Sequence, residues 1–237
     1  MRSSFFASDS NQQGYHPCPA LTVPAGFSQR DWSHSPPFFD TNAPHPSHFA
    51  IGYLRKETIM VTVKHKNELR AALAKAFDDF ASTLSSFGEP EVNEIPFTGS
   101  WTPSQVAVHI IMATDGVPDG NTSPAHRPYD SYLPRIRPWW EDLNQKFKSP
   151  EPLLPDEQER SKKILLEELE RVRTKDLVIA EKTDLSAVCL DFELPSIGYL
   201  TRFEWLWFIE MHLRRHHYQL DNMLKAFADP STRTGAN

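Results

Sequence analysis

Two histidines on one predicted helix are the clearest candidates for metal chemistry in this chain. His212 and His216 are four residues apart in FEWLWFIEMHLRRHHYQLDNMLKAF, so both imidazoles leave the same helix face one turn apart. This spacing lets two ring nitrogens reach one ion, as in HExxH helices, although Leu213, Arg214 and Arg215 separate them here. The pair alone is also compatible with two ordinary hydrogen-bonded histidines.

The neighbouring residues indicate that this pair faces the core. Large apolar residues share its side of the helix: Trp205, Phe208, Ile209, Leu220 and Met223. Two buried histidines need polar partners, and a shared metal ion would satisfy both. His217 is rotated by about 100° from His216 on a helix. It is therefore expected on the surface or beside the ligands rather than among them.

His109 is the third candidate and belongs to another predicted helix, within the run VAVHII. A single histidine in such a run is typical of a hydrogen-bonded core residue. Three inward-facing histidines from two helices would instead form an open tripod, which leaves coordination positions for water or substrate. Imidazole ligands suit Zn, Ni, Fe or Cu, and their spacing does not select among these metals.

Four amphipathic helices are predicted to position these histidines, at about residues 60–87, 102–115, 156–182 and 201–229. Thr102 and Thr201 begin the second and fourth helices with capping boxes, which Gln105 and Glu204 complete. A Pro-rich connection of about 40 residues, with a short helix around 139–148, lets the second and third helices run in the same direction. No segment shows a strand pattern strong enough to compete with the helical pattern. The expected fold is therefore an all-α four-helix bundle with a long crossover.

These segments resemble the DinB-like superfamily, which includes YfiT-type metal-dependent hydrolases. The matching motifs are W-T-P-x-Q-x-x-x-H-I, beginning at Trp101, and E-x-H-x-x-x-H-H-x-Q-L, which ends just after Gln219. The resemblance covers about residues 60–228. It implies an up-down-down-up bundle and a divalent metal, Zn or Ni first, held by His109, His212 and His216. Relatives include bacillithiol- and mycothiol-dependent transferases and isomerases, so it also implies a low-molecular-weight thiol as cofactor.

One acidic residue of the family pattern is missing. Many relatives carry an acid about three positions after the first histidine, where this chain has Met112 followed by alanine. Asp115 lies further along, on a different helix face, and is expected at the surface. Asp191 and Glu193 precede the last helix and could reach the mouth of the site, with solvated loop acids as the alternative. The role of each of these acids, like that of His217, is left open at this point.

The expected function is catalysis on a small-molecule substrate, with the metal activating a thiol cofactor or water. Thiol transfer is favoured over hydrolysis because a metal-bound thiolate needs no permanent base. The alternative is a non-catalytic, metal-binding or stress-associated bundle protein that pairs as a homodimer. A nucleic-acid partner is not expected, since the net charge is −6 and no basic recognition helix is present.

Composition bounds the remaining expectations. With 237 residues, 39% of them hydrophobic, the chain suffices for one or two domains. The two cysteines, Cys18 and Cys189, exclude a disulfide scaffold and fit a reducing compartment, so the cytoplasm is expected. No apolar run reaches the roughly 18 residues of a membrane-spanning helix, so no membrane partner is expected.

Residues 1–59 differ from the rest of the chain. They are dense in Pro, Ser, Asn and Gln, with no sustained helical or strand period, and are expected to form a disordered or loosely packed extension. Met60 begins a stretch that looks like a natural protein start, so an over-extended gene start is the alternative. The bundle is expected over residues 60–230, followed by a tail over 231–237.

Overall fold

The computed structural model describes residues 60–229, so the predicted extension over 1–59 and the tail over 231–237 lie outside the described residues. Eight elements of regular structure follow one another, apart from two short 3₁₀ turns: α1 (Val63–Ser86), α2 (Pro103–Ala113), β1 (Thr122–Ser123), α3 (Leu133–Glu141), α4 (Lys162–Lys182), β2 (Val188–Leu194), β3 (Gly198–Thr201) and α5 (Arg202–Ala228). Within this part of the chain, none of the helices has the length and apolar character that a membrane crossing requires.

The four longer helices share one core. Both α1 and α2 pack against α4 and α5. Each helix contributes one buried apolar stripe, so side chains such as Phe77, Phe80, Leu169 and Leu213 meet in a single cluster. The fold is therefore mostly helical, in agreement with the sequence analysis.

Both predicted capping boxes are confirmed. The Thr102 hydroxyl accepts the Gln105 N–H at 3.1 Å, and the Gln105 side chain accepts the Thr102 N–H at 3.0 Å. Thr201 and Glu204 make the same reciprocal pair at the start of α5. Each box satisfies two backbone donors that a helix start leaves unpaired, which fixes where α2 and α5 begin.

The expectation that the chain holds no strand was wrong. A three-stranded antiparallel sheet, in the order β1-β2-β3, combines β1 from the connection after α2 with β2 and β3 from the segment between α4 and α5. Strand β2 reads VCLDFEL, and its Cys189, Phe192 and Leu194 are buried in a second, smaller core with Trp205 and Phe208 of α5. Burial of this strand face against α5 stabilises a sheet that the bundle pattern did not predict.

Two helix boundaries also differ from the predictions. The short helix α3 spans Leu133–Glu141 rather than 139–148, because proline in its first turn is favourable there. The third long helix begins at Lys162 rather than near 156, where Ser161 acts as its N-cap. Residues 156–161, which were expected to be helical, form a loop in which the Arg160 guanidinium pairs with the Asp156 carboxylate at 2.6 Å.

A buried ion pair fastens the start of α5 to the preceding loops. Glu204 is 0% exposed, and its carboxylate accepts both terminal nitrogens of Arg127, at 2.8 and 2.7 Å. The same carboxylate accepts the backbone N–H groups of Tyr132 at 2.7 Å and Thr201 at 2.9 Å. Both of its oxygens are thus satisfied by donors of this chain.

Candidate metal centre

Helices α2 and α5 bring the three predicted histidines together. The Nε2 atom of His212 lies 3.2 Å from that of His109 and 3.1 Å from that of His216. One ring nitrogen from each residue falls within 4.8 Å of the other two. The i,i+4 spacing on α5 and the position of His109 two turns into α2 are the reasons for this convergence.

The three rings differ in exposure. His109 is 4% exposed and His212 is 7% exposed, whereas His216 is partly open to solvent. All three belong to the core-facing sides of their helices, as the apolar pattern predicted. Packing in the core therefore holds His109 and His212 in place, whereas the ring of His216 lies nearer the surface.

Hydrogen bonds on the outer nitrogens orient two of the rings. His109 Nδ1 lies 2.9 Å from the carbonyl oxygen of Leu153, and His216 Nδ1 lies 2.8 Å from the side-chain oxygen of Gln219. These oxygens can only accept, so each Nδ1 carries the proton and donates it. The lone pair of each ring is then on Nε2, the nitrogen that faces the other histidines.

The surroundings of His212 indicate that the three histidines together suit a cation. Its Nε2 faces two other Nε2 atoms, and one proton can bridge only one of these contacts. Its Nδ1 is buried with no acceptor among residues 60–229. A tetrahedral ion with metal–nitrogen bonds of about 2.0–2.1 Å sets neighbouring ligand nitrogens roughly 3.3 Å apart. The two separations around His212, 3.2 and 3.1 Å, are close to that value, and all three ligand atoms lie within 4.8 Å of one another. An ion would replace lone-pair repulsion by coordination.

Burial keeps the three imidazoles in the form that binds metals. Desolvation lowers the pKa of His109, only partly offset by its bond to Leu153. Desolvation also lowers the pKa of His212 well below its usual value, and neighbouring His216 and His109 add to the effect. For His216, desolvation and then His109 lower the pKa to about 3. All three rings are therefore neutral near pH 7, as coordination requires.

Aromatic side chains surround the histidines. The ring of Trp101 lies 5.4 Å from that of His109, and the ring of Trp140 lies 5.1 Å from that of His212. Phe147 stacks on Trp140 at 5.0 Å. No motif in the sequence indicated that Trp140 would lie beside a histidine. Its ring covers this side of the cluster with an apolar surface.

The structure does not bring the other predicted residues into the cluster. Asp115 is paired with Arg171 at 3.1 Å and Lys175 at 2.9 Å on α4, with its side chain 15% exposed. Asp191 and Glu193 belong to β2, and two hydrogen bonds from Asn121 lower the pKa of Asp191.

Neither His217 nor any carboxylate of residues 60–229 belongs to the cluster. His217 Nε2 lies 3.0 Å from the Thr83 hydroxyl oxygen on α1. Within the described range, the cluster consists of histidines alone. Glu210, two residues before His212, is buried and pairs with Arg214 at 3.0 Å. The missing acid at Met112 is thus not replaced by a carboxylate in the cluster.

Comparison with known proteins agrees with the motifs. The family model of the DinB superfamily matches residues 72–220, well over half of the chain and all three histidines. No curated protein and no solved structure gives a significant match. Since the matched region runs from α1 into α5 and contains the whole cluster, the chain belongs to the DinB superfamily.

Proposed function

We propose that this protein is a metal-dependent enzyme in which His109, His212 and His216 hold a divalent ion, Zn or Ni first. The observation that carries the proposal is the convergence of three Nε2 atoms, with separations of 3.2 and 3.1 Å around His212. Two of these atoms have their lone pairs fixed toward the centre by Leu153 and Gln219.

The proposed chemistry depends on the three ligands being neutral imidazoles. A divalent ion held this way lowers the pKa of a bound water or thiol, which makes a nucleophile available at neutral pH. His109 and His216 keep their ring orientation through their outer hydrogen bonds. Trp101 and Trp140 exclude water from two sides of the cluster.

Thiol S-transfer to a small electrophile is the preferred reaction, with hydrolysis second. Activation of water is aided by a nearby general base, and no carboxylate belongs to the cluster in the part of the chain described. A thiolate needs no such base once its proton has left. We therefore expect a low-molecular-weight thiol as cofactor.

The first test is metal content, measured by elemental mass spectrometry on untagged full-length protein. We expect about one ion per chain in the wild type and in His217→Ala, and none in His109→Ala or His216→Ala. A screen of thiols and electrophiles, with and without metal, follows. A rate that persists after the metal has been removed would contradict the catalytic proposal.

The burial of the cluster supports a second candidate function, that of a non-catalytic metal-binding protein. His109 and His212 are almost inaccessible, as in a structural site. In that case His109→Ala lowers the melting temperature strongly while no thiol or ester substrate is turned over. A stress-associated homodimer belongs to this alternative, and light scattering at two protein concentrations tests the pairing.

We further propose the up-down-down-up order for the four longer helices. Lys66, near the start of α1, donates to the carbonyl of Thr183 after α4. At the opposite end, Lys162 at the start of α4 donates to the carbonyl of Phe87 after α1. Phe87 also contacts Phe227 near the end of α5. These contacts support antiparallel α1 and α4 and parallel α1 and α5. A cytoplasmic location and the absence of a nucleic-acid partner stay predictions.

A further inference from the structure

The connection between α3 and α4 crosses the helices that carry the histidines. We call residues 140–153, which are the last two residues of α3 and the connection that follows them, the crossover segment. At its start, α3 packs on α5, and at its end the 3₁₀ turn Glu151–Leu153 packs on α2. Trp140 contacts the ring of His212, and the carbonyl of Leu153 accepts the proton of His109 Nδ1. The segment therefore spans the groove in which the three histidines meet.

Arg215 holds the middle of this segment. Its guanidinium donates to the carbonyls of Trp140 at 3.2 Å and Asp142 at 2.8 Å, and also to the carbonyl of Gln145. The guanidinium carbon lies 4.7 Å from the centre of the Phe147 ring. The same carbon lies 5.9 Å from the centre of the Trp140 ring, so Arg215 contacts the segment through three backbone oxygens and two aromatic faces.

Only arginine can make this set of contacts. Its planar guanidinium presents several N–H donors in a fixed fork and stacks on aromatic rings, whereas the lysine ammonium is a single point of attachment. Arg215 precedes His216 in the chain and lies one turn after His212, on the helix that supplies two of the histidines. One side chain of α5 therefore ties the segment to the cluster.

The neighbouring Arg214 provides a matched control. It is exposed and pairs with the carboxylates of Glu141 at 3.3 Å and Glu210 at 3.0 Å. The pair with Glu141 is exposed on both sides and contributes little to structure. Glu210 is buried, so the control is Arg214→Lys, which keeps a positive charge beside that carboxylate. Arg214 and Arg215 have the same chemistry and adjacent positions, but only Arg215 holds backbone carbonyls of the segment.

We propose that Arg215 is a positioning residue that latches the crossover segment over one side of the metal centre, so that a small ligand reaches the ion faster when the latch opens. The metal part of this inference rests on the proposed function. The latch itself does not, because the contacts of Arg215 are made by the chain alone. Release of the three carbonyls would expose the side of the cluster that Trp140 covers.

Trypsin tests the latch in the metal-free, full-length protein. Lys146 and Lys148 are exposed within the segment, and cleavage after them is followed by mass spectrometry. When opening is fast, cleavage follows the population of the open form, so losing these hydrogen bonds is expected to speed it about tenfold or more. Arg215→Ala and, to a lesser degree, Arg215→Lys should show this change, and Arg214→Lys should not. Equal cleavage in folded Arg215→Ala and wild type would overturn the latch.

Access to the ion is tested with azide and the Co²⁺-substituted protein. Azide binding is followed by stopped flow through the visible absorption of the ion. We expect faster association in Arg215→Ala and Arg215→Lys, with the equilibrium constant changed less than the rate. Faster cleavage with unchanged azide association would overturn control of access. Failure of wild-type protein to bind Co²⁺ would contradict the proposed metal centre instead, and the trypsin result would still decide the latch.

Discussion

Helix α5 carries two buried polar clusters that are built in opposite ways. Near its start, Glu204 receives two guanidinium nitrogens of Arg127 and two backbone N–H groups. About halfway along, His212 meets two further imidazoles whose lone pairs face the same point. The first cluster pairs each acceptor with a donor, whereas the second gathers acceptors.

The difference separates a structural site from a binding site. Buried polar groups are normally paired within the chain, and the Glu204 cluster follows that rule. The histidine cluster departs from it because the single proton of a neutral His212 can satisfy only one of its two contacts with the other Nε2 atoms. A cation is the partner that such a group lacks. The comparison predicts that changes at the first cluster alter folding alone, and that changes at the second alter metal binding.

The largest expected effect is the stabilisation by metal. At a free Zn²⁺ concentration of 1,000 times Kd, the free energy of unfolding of the wild type should rise by about 4 kcal/mol, since the ion binds the folded state. Urea titrations with and without Zn²⁺ measure this rise. His212→Ala should lose it entirely, while His217→Ala should keep it. An equal rise in both variants would place the ion elsewhere.

Breaking the Glu204 cluster should have the next largest effect. Glu204→Gln leaves Arg127 without its charged partner, so we expect a loss of about 3 kcal/mol in the free energy of unfolding. The metal content of the folded fraction should not change. The exposed Glu157→Gln is the control, with little effect on stability. If Glu204→Gln released metal, the two clusters would not be independent.

Gln219 allows a smaller and more selective change. Gln219→Leu removes the acceptor that orients His216, and partners of this kind typically contribute a factor of ten to a hundred in metal affinity, about 1.4–2.7 kcal/mol. Competition with a chromophoric chelator measures the affinity. The metal-free protein should keep its stability within about 0.5 kcal/mol. Unchanged affinity would show that the Gln219 bond does not support the site.

The smallest expected effect is the contribution of His216 to the pH dependence of the metal-free protein. His216 has its pKa lowered to about 3, whereas an unfolded histidine titrates near 6.5. The unfolded state therefore binds a proton that the folded state does not, and stability falls as the pH drops below about 6.5. Between pH 7.5 and 5.5 this one residue should cost about 1.4 kcal/mol.

Urea midpoints at the two pH values, compared between wild type and His216→Gln, measure that difference. The variant should show the smaller dependence on pH. Carboxylates with a lowered pKa, such as Asp115 and Asp156, lose their stabilisation at lower pH and do not disturb this window. An identical dependence in wild type and variant would mean that His216 titrates normally in the folded protein.

The helices and the histidines of the site could be predicted from the sequence, but the residues that surround the histidines could not. Capping boxes and apolar periods are local signals, so Thr102, Thr201 and the long helices could be predicted. The i,i+4 pair is equally local, and the family motifs added His109. The support from Leu153 is a main-chain carbonyl, which residue types cannot reveal. The contact of Trp140 with His212 depends on how the connection packs, and no spacing rule describes it.

The sheet was missed for a different reason. Strand β2 is buried on one face against α5, but its sequence VCLDFEL is short and is followed closely by Pro195 and Gly198. Its alternation of apolar and polar residues, and the short turn that joins it to β3, were the available local signals. Its pairing with β1 is decided by contacts distant in sequence, which a local pattern does not reveal.

The distance along the chain between His109 and His212 also has a kinetic consequence. The two rings touch although 103 positions separate them, and α2, with 11 residues, is too short to be stable alone. We therefore expect the cluster to form only after the longer helices have packed together, late in folding. An ion bound there would act on the lifetime of the folded state, slowing unfolding while leaving the rate of folding almost unchanged.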